Sequence, residues 1–168
     1  MTILGMAPFT LFHVVISLFG ILAGFVVMRG LVTSQRLNGW TAIFLFFTAA
    51  TSITGFMFPI SVFTPALGTG IVASIIMAVT LAARYAFDMR GSWRPVYVIG
   101  AVASQYLNVF VLVVQAFLKV EPLNNLAPNG SEPPFAIAQG IVLLLHVWLG
   151  FVAVRRFHPA PSRGLAAA

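Results

Sequence analysis

His13 and His146 are the only ionisable side chains that fall well inside the long apolar runs of this chain. An ionisable group at membrane depth is costly, so each of the two carries a functional hypothesis. Two imidazoles on different helices are the ligand set of a bis-histidine haem, and one alone serves a singly ligated tetrapyrrole or a hydrogen-bonded quinone. Depth separates the pair. His13 lies five residues below Pro8, about 7–8 Å down at 1.5 Å per residue, and His146 twelve below Pro134, about 18 Å down. A shared haem would need strong tilting to close that offset. His146 is therefore the principal candidate, and a neutral histidine bonded within a bundle is the plain alternative.

Polar residues of matching depth complete the candidate site. Asn108 lies about 20 Å above Pro95 on the antiparallel neighbour, at the height of His146, with Ser104, Gln105 and Tyr106 beside it. The expectation is a His146–Asn108 cluster near mid-membrane and a second layer of His13, Gln115 and Gln139 nearer the outside. His146, His13, Asn108, Tyr106, Gln115 and Gln139 are thus the candidate cofactor-binding residues, for haem or quinone. Catalytic equipment is not evident. No Asp or Glu lies within an apolar core, and there is no Ser/His/Asp arrangement, phosphate loop or HExxH. The chain has no cysteine, which excludes disulfides and thiolate metal sites. Arg84 and Asp88, spaced i,i+4, read as a local ion pair rather than a catalytic one.

The elements that must carry these residues are membrane helices. The chain is 60% hydrophobic and 7% charged, too apolar for 168 residues to hide in a core of their own. Five spans are read at residues 8–28, 40–58, 65–87, 95–118 and 135–154 of a single membrane domain, 1–168. Each matches the ~20 residues that cross a bilayer. Pro8, Pro65, Pro95 and Pro134 open spans, where a missing N–H costs nothing, and no proline lies inside one. Without interior prolines, the broken helices common in transporters are not expected. Short connectors make neighbours antiparallel. The fourth connector, 119–134, reads as a solvated external loop, with a cap over the bundle mouth or a partner-docking loop as the other reading. The tail, 155–168, reads as a mobile cytoplasmic segment.

Charge gives an orientation. Arg29, Arg36, Arg84, Arg90, Arg94, Arg155, Arg156 and Arg163 fall in or beside the odd-numbered connectors and the C-terminal tail, and only Lys119 falls in an even-numbered one. Retention of basic residues on the cytoplasmic side puts the N-terminus outside and the C-terminus inside. Trp40, Trp93 and Tyr97 are expected in an aromatic belt at that edge. The net charge of +6 is read as anchorage to anionic headgroups, because no basic stripe suited to nucleic acid exists. Met1–Thr10 carries no basic residue, so the first run is expected to remain as a span rather than act as a cleaved signal.

Small and polar residues recur on one face of each span: His13, Ser17, Gly20 and Gly24; Thr41, Thr48, Ser52 and Gly55; Gly70, Ser74, Ala78 and Ala82; Gly100, Ser104, Asn108 and Gln115; Gln139, His146 and Gly150. Lipid tails do not drive helices together, so such stripes mark interior packing in a five-helix bundle.

Two stretches, GWTAIFLFFTAATSITGFMFP at Gly39–Pro59 and YLNVFVLVVQAFLKV at Tyr106–Val120, the latter followed by SEPPF at Ser131–Phe135, resemble a group of small multi-pass bacterial inner-membrane proteins with no assigned activity. The resemblance implies a bacterial inner membrane, and eight Arg against one Lys suit a GC-rich genome. It implies no functional residue. The leading expectation is a non-enzymatic membrane protein, an accessory or interaction subunit of a larger assembly or a self-associating one. The alternative is a redox protein holding haem or quinone through His146, with or without His13. A small transporter or channel is a weaker third.

Overall fold

The protein is described by a computed structural model covering residues 7–59 and 62–159. Among these residues there are six helices and no strand: α1 (Pro8–Val32), α2 (Asn38–Phe56), α3 (Pro65–Leu81, prolonged by a π-helical turn over Ala82–Ala86), α4 (Trp93–Lys119), the single turn α5 (Glu121–Asn124) and α6 (Pro133–Arg156). Five are long and apolar enough to cross a membrane: α1, α2, α3 with its π turn, α4 and α6. Helix starts follow the prolines. Pro8 and Pro65 occupy first helical positions, and Thr64 Oγ1 caps α3 by accepting from Leu67 N at 3.1 Å. Gly30 is needed for the turn out of α1, because a Cβ there would meet Leu37 Cδ1 at 2.6 Å as the chain folds back.

Each long helix packs beside the next, α6 closes the ring on α1, and α4 also reaches across to α1. All the odd-numbered connectors therefore meet at one end. There Arg36 pairs with Asp88 at 3.1 Å, Arg84 donates to Asn38 Oδ1 at 2.6 Å, and Arg94 donates to the carbonyls of Val154 and Phe157 at 2.9 and 2.8 Å. The backbone N–H of His158 reaches Ser34 Oγ at 2.8 Å. The best-packed core lies toward this arginine end and includes Leu31, Phe44, Leu45, Tyr97, Val98, Ala101, Ala153 and Phe157.

The stripes on α1 and α2 face protein as read. Gly20 packs on the backbone of Phe47 and Thr48, and Gly24 receives the Gln105 amide of α4. Gln105 is fully buried and donates from Nε2 to Ile21 O at 3.1 Å, which ties α4 to α1. Gly100 makes room for Thr80 of α3, and Gly150 meets Val102 Cγ1 at an ordinary 3.6 Å. The α3 stripe needs correction. Ala78 is exposed, and the buried face runs through Met77, Thr80, Ala83 and Arg84. Thr80, fitted against Gly100, sets that rotation.

Two expectations at the arginine end are overturned. Arg84 and Asp88 do not pair. The turn over Ala82–Ala86 closes by an i→i+5 bond, Phe87 N to Ala82 O at 3.0 Å, and Asp88 leaves the helix at positive φ, so four residues no longer equal one turn. Tyr97 is not a belt residue. It is 1% exposed beneath the Arg84 guanidinium, 5.2 Å from its ring centroid, whereas Trp40 and Trp93 are exposed, Trp93 stacked on Phe87.

The connector of residues 119–134 is folded rather than merely solvated. Asn124 donates to Phe117 O at 3.1 Å, and Ala127 is buried. Glu132 precedes α6 and accepts from Asn129 N and Nδ2 at 3.1 and 2.8 Å and from Ser131 N at 3.0 Å. The tail beyond Pro159, with Arg163, lies outside the described residues.

Candidate functional site: the groove between α4 and α6

Two helices facing each other at heptad spacing leave a trough where neither side chain set fills the gap. α4 presents Ile99, Val102, Ala103 and Tyr106; α6 presents Leu143, His146, Val147, Gly150, Phe151 and Arg155. Ala103 and Gly150 are the small members on the two sides. The resulting groove has a volume of about 510 Å³, within the range of ligand sites, and it is almost wholly apolar. It is open along the outer surface of the bundle.

His146 is half-buried at one end of this groove, ten residues before Arg156, about 15 Å from the arginine end of α6. Its Nδ1 lies 2.8 Å from the carbonyl oxygen of Val142, one turn earlier. A carbonyl only accepts, so in the neutral ring Nδ1 carries the hydrogen and Nε2 keeps its lone pair. The Tyr106 ring meets the imidazole edge-on at 5.8 Å between centroids. Among the described residues, neither His146 Nε2 nor the Tyr106 hydroxyl has a hydrogen-bond partner. Arg155 closes the other end of the groove, its guanidinium 4.0 Å from the centroid of the Phe151 ring.

The structure separates residues that depth alone had grouped. Asn108 does not meet His146; its Nδ2 donates to Thr48 Oγ1 of α2 at 3.0 Å. The reason is azimuth. Asn108 follows Tyr106 by two residues, about 200° around α4, so when Tyr106 faces α6 Asn108 faces away from it. The second layer does not form either. His13 Nδ1 and Thr54 Oγ1 share a hydrogen bond at 2.7 Å, the ring lies edge-on to Phe58, and both partners belong to the α2 end. Gln139 donates to Phe110 O at 3.1 Å, and Gln115 is exposed near the end of α4. His13 and His146 are thus held by different helix pairs, and the geometry offers no common iron position.

Of the six candidate residues, His146 and Tyr106 share a site, Asn108, His13 and Gln139 serve helix packing, and Gln115 stands apart. Sequence reasoning gave Arg84 a local partner in Asp88 and missed its burial. This buried cation is held by Asn38 Oδ1, Met89 Sδ at 3.2 Å and the Tyr97 face, with no carboxylate among its described partners. It stands within the π turn over Ala82–Ala86, which no local motif announces. No family model, no curated protein and no solved structure matches the chain.

Proposed function

We propose that this is a non-enzymatic multi-pass protein of the bacterial inner membrane that binds a lipophilic ligand of the quinone class in the α4–α6 groove. The observation that carries the reading is the apolar groove of about 510 Å³ itself, with the half-buried His146 and Tyr106 among its lining residues far from either helix end. Polar groups at that depth are expensive unless something bonds to them. A ring bearing two oxygens and an isoprenoid tail supplies both the bonds and the apolar filling. Purification from native membranes followed by solvent extraction should return isoprenoid quinone in stoichiometric amount, and Ala103→Phe, which plugs the groove, should abolish it. An extract without quinone from folded wild-type protein refutes the reading. A Soret band would redirect it to a single-histidine haem on Nε2.

The orientation proposed is N-terminus outside and C-terminus cytoplasmic. It is supported by the gathering of seven described arginines at one end of the bundle, against Lys119, Glu121 and Glu132 at the other. In intact cells an impermeant maleimide should label Asn125→Cys and spare Ser92→Cys, and the reverse pattern would invert the topology.

A second reading, an accessory subunit of a larger membrane assembly, draws on α6. Only 11% of its apolar window is buried, against 39% for α1 and for α4, and Leu144, Val147, Trp148 and Phe151 stand out from it. A photoreactive residue at Trp148 should then crosslink a specific subunit in native membranes while one at Phe46 does not. Equal, lipid-only labelling at both positions would dismiss a docked subunit.

A further inference from the structure

We infer that the α4–α6 groove seats an anionic phospholipid of the leaflet on the arginine side, with one acyl chain in the trough and the phosphate on Arg155. The inference goes beyond the quinone-class reading and does not depend on it. It rests on the lining, the length and the charged end of the groove. Ile99, Val102, Ala103, Leu143 and Val147 give the trough a hydrocarbon lining. An acyl chain needs no more than that, since it holds by contact alone. Ile99, Leu143 and Val147 are also exposed on the outside of the bundle, so a chain enters sideways from the bilayer.

Length sets the class of occupant. From Leu143 to Arg155 the groove follows twelve residues of α6, about 18 Å at 1.5 Å per residue. One leaflet supplies half of a ~30 Å hydrocarbon core. The trough thus begins where α6 leaves the membrane and stops near the midplane, as an acyl chain of one leaflet does. Arg155 is exposed on the last turn of α6, its guanidinium 4.0 Å from the centroid of the Phe151 ring. Among the described residues it has no carboxylate or hydrogen-bond partner, whereas Arg36, Arg84 and Arg94 bond within the bundle. Its N–H donors are left for a phosphate. Arg156 beside it is exposed too, and α6 carries no acidic residue, so an anionic headgroup is preferred to a zwitterionic one. A groove of about 510 Å³ takes one chain, so phospholipid and quinone exclude one another there.

The test is native mass spectrometry of delipidated protein in non-ionic detergent, titrated with dioleoyl phosphatidylglycerol and with dioleoyl phosphatidylcholine. The first site should prefer phosphatidylglycerol about fivefold, the contribution of one basic residue near a charged surface. Arg155→Gln should erase that preference. Arg90→Gln, at an exposed arginine outside the groove, should keep it. Ala103→Phe, which plugs the trough, should remove the first site for both lipids. Circular dichroism establishes which variants fold; if Ala103→Phe does not, the two arginine variants decide alone. Equal binding of the two lipids by wild type, a preference that survives Arg155→Gln or is lost equally in Arg90→Gln, or a first site untouched by Ala103→Phe overturns the inference. Each of those results leaves the quinone-class reading standing. A quinone-free extract of native protein, conversely, removes that reading and leaves this one.

Discussion

Replacing Gly24 by alanine is the sharpest perturbation of the bundle, because the space a Cβ would need is already taken. An ideal Cβ at Gly24 lands on the side-chain amide of Gln105, touching both Oε1 and Cδ. The amide is fully buried, its Nε2 bonds Ile21 O, and its Oε1 has no partner, so pushing it aside strains or breaks that bond. Interhelical bonds of this kind contribute about 0.6–2 kcal/mol in membranes. A buried amide left without partners costs about 1–3 kcal/mol, and overpacking about as much, although the terms overlap. A net loss of about 2–4 kcal/mol follows, or a fall in Tm of roughly 5–12 °C for a chain of this size. Thermal unfolding in detergent, read by tryptophan fluorescence, measures it. Gly140→Ala is the control, since nothing lies within 4 Å of its Cβ position. The reasoning also fixes a coupling. In a Gln105→Ala background the obstacle is gone, and Gly24→Ala should become nearly neutral. A Tm within a degree of wild type for Gly24→Ala, or full additivity in the double variant, would show that the glycine does not house the amide.

Three further outcomes follow from the same geometry. Gly100→Ala drives a methyl onto Thr80 Oγ1 and should lower stability by about 1–3 kcal/mol in the same unfolding assay, with Thr80→Ala restoring most of it. Arg84→Ala empties the space above Tyr97 and strands Asn38; a loss of about 2–4 kcal/mol is expected, and Arg84→Lys should recover only part because the planar fork is gone. Slight desolvation raises the Glu132 carboxyl, but the N–H groups of Ser131, Asn129 and Glu132 itself, with the Asn129 amide, outweigh it and hold it below its ordinary value. A depressed carboxyl stabilises above its unfolded value, so amide exchange protection in residues 129–132 should be present near neutrality and fade as pH falls below about 4.3, and Glu132→Ala should abolish that pH dependence.

Helix number and placement were legible because lipid demands one simple thing of sequence, long apolar runs, and proline marks where they begin. The faces of α1 and α2 were legible for a related reason: His13, Ser17, Gly20 and Gly24 are polar or small at helical spacing, and so are Thr41, Thr48 and Ser52. The α3 face was not. Ala78 and Ala82 are as acceptable to lipid as to protein, and the rotation is set by Thr80 meeting Gly100 on another helix. The ion pair at Arg84 failed for a different reason. A π turn changes the residues per turn, and neither ARYA nor its flanks carry a proline or glycine that would announce it. Within the candidate site, counting residues from a membrane edge recovered height but not azimuth. His146 and Asn108 were paired on height, and the 200° or so that separates Asn108 from Tyr106 sends one to α2 and the other to α6.

The groove itself follows from how α6 is attached. At one end Phe135 packs edge-on against Phe117 and Gln139 bonds Phe110 O; at the other, Arg94 holds the last carbonyls of the helix and Phe157 is buried beside Tyr97. Between these pins the only fully buried residue of α6 is Ala153. The middle of the helix is therefore held by its ends rather than by its own packing, and opposite Ala103 there is no side chain large enough to fill the gap. A bundle built only for packing would place a leucine or phenylalanine at Ala103 or Gly150 and an apolar residue at His146. Instead, small residues keep the trough open, and the one imidazole beside it spends its N–H on its own helix.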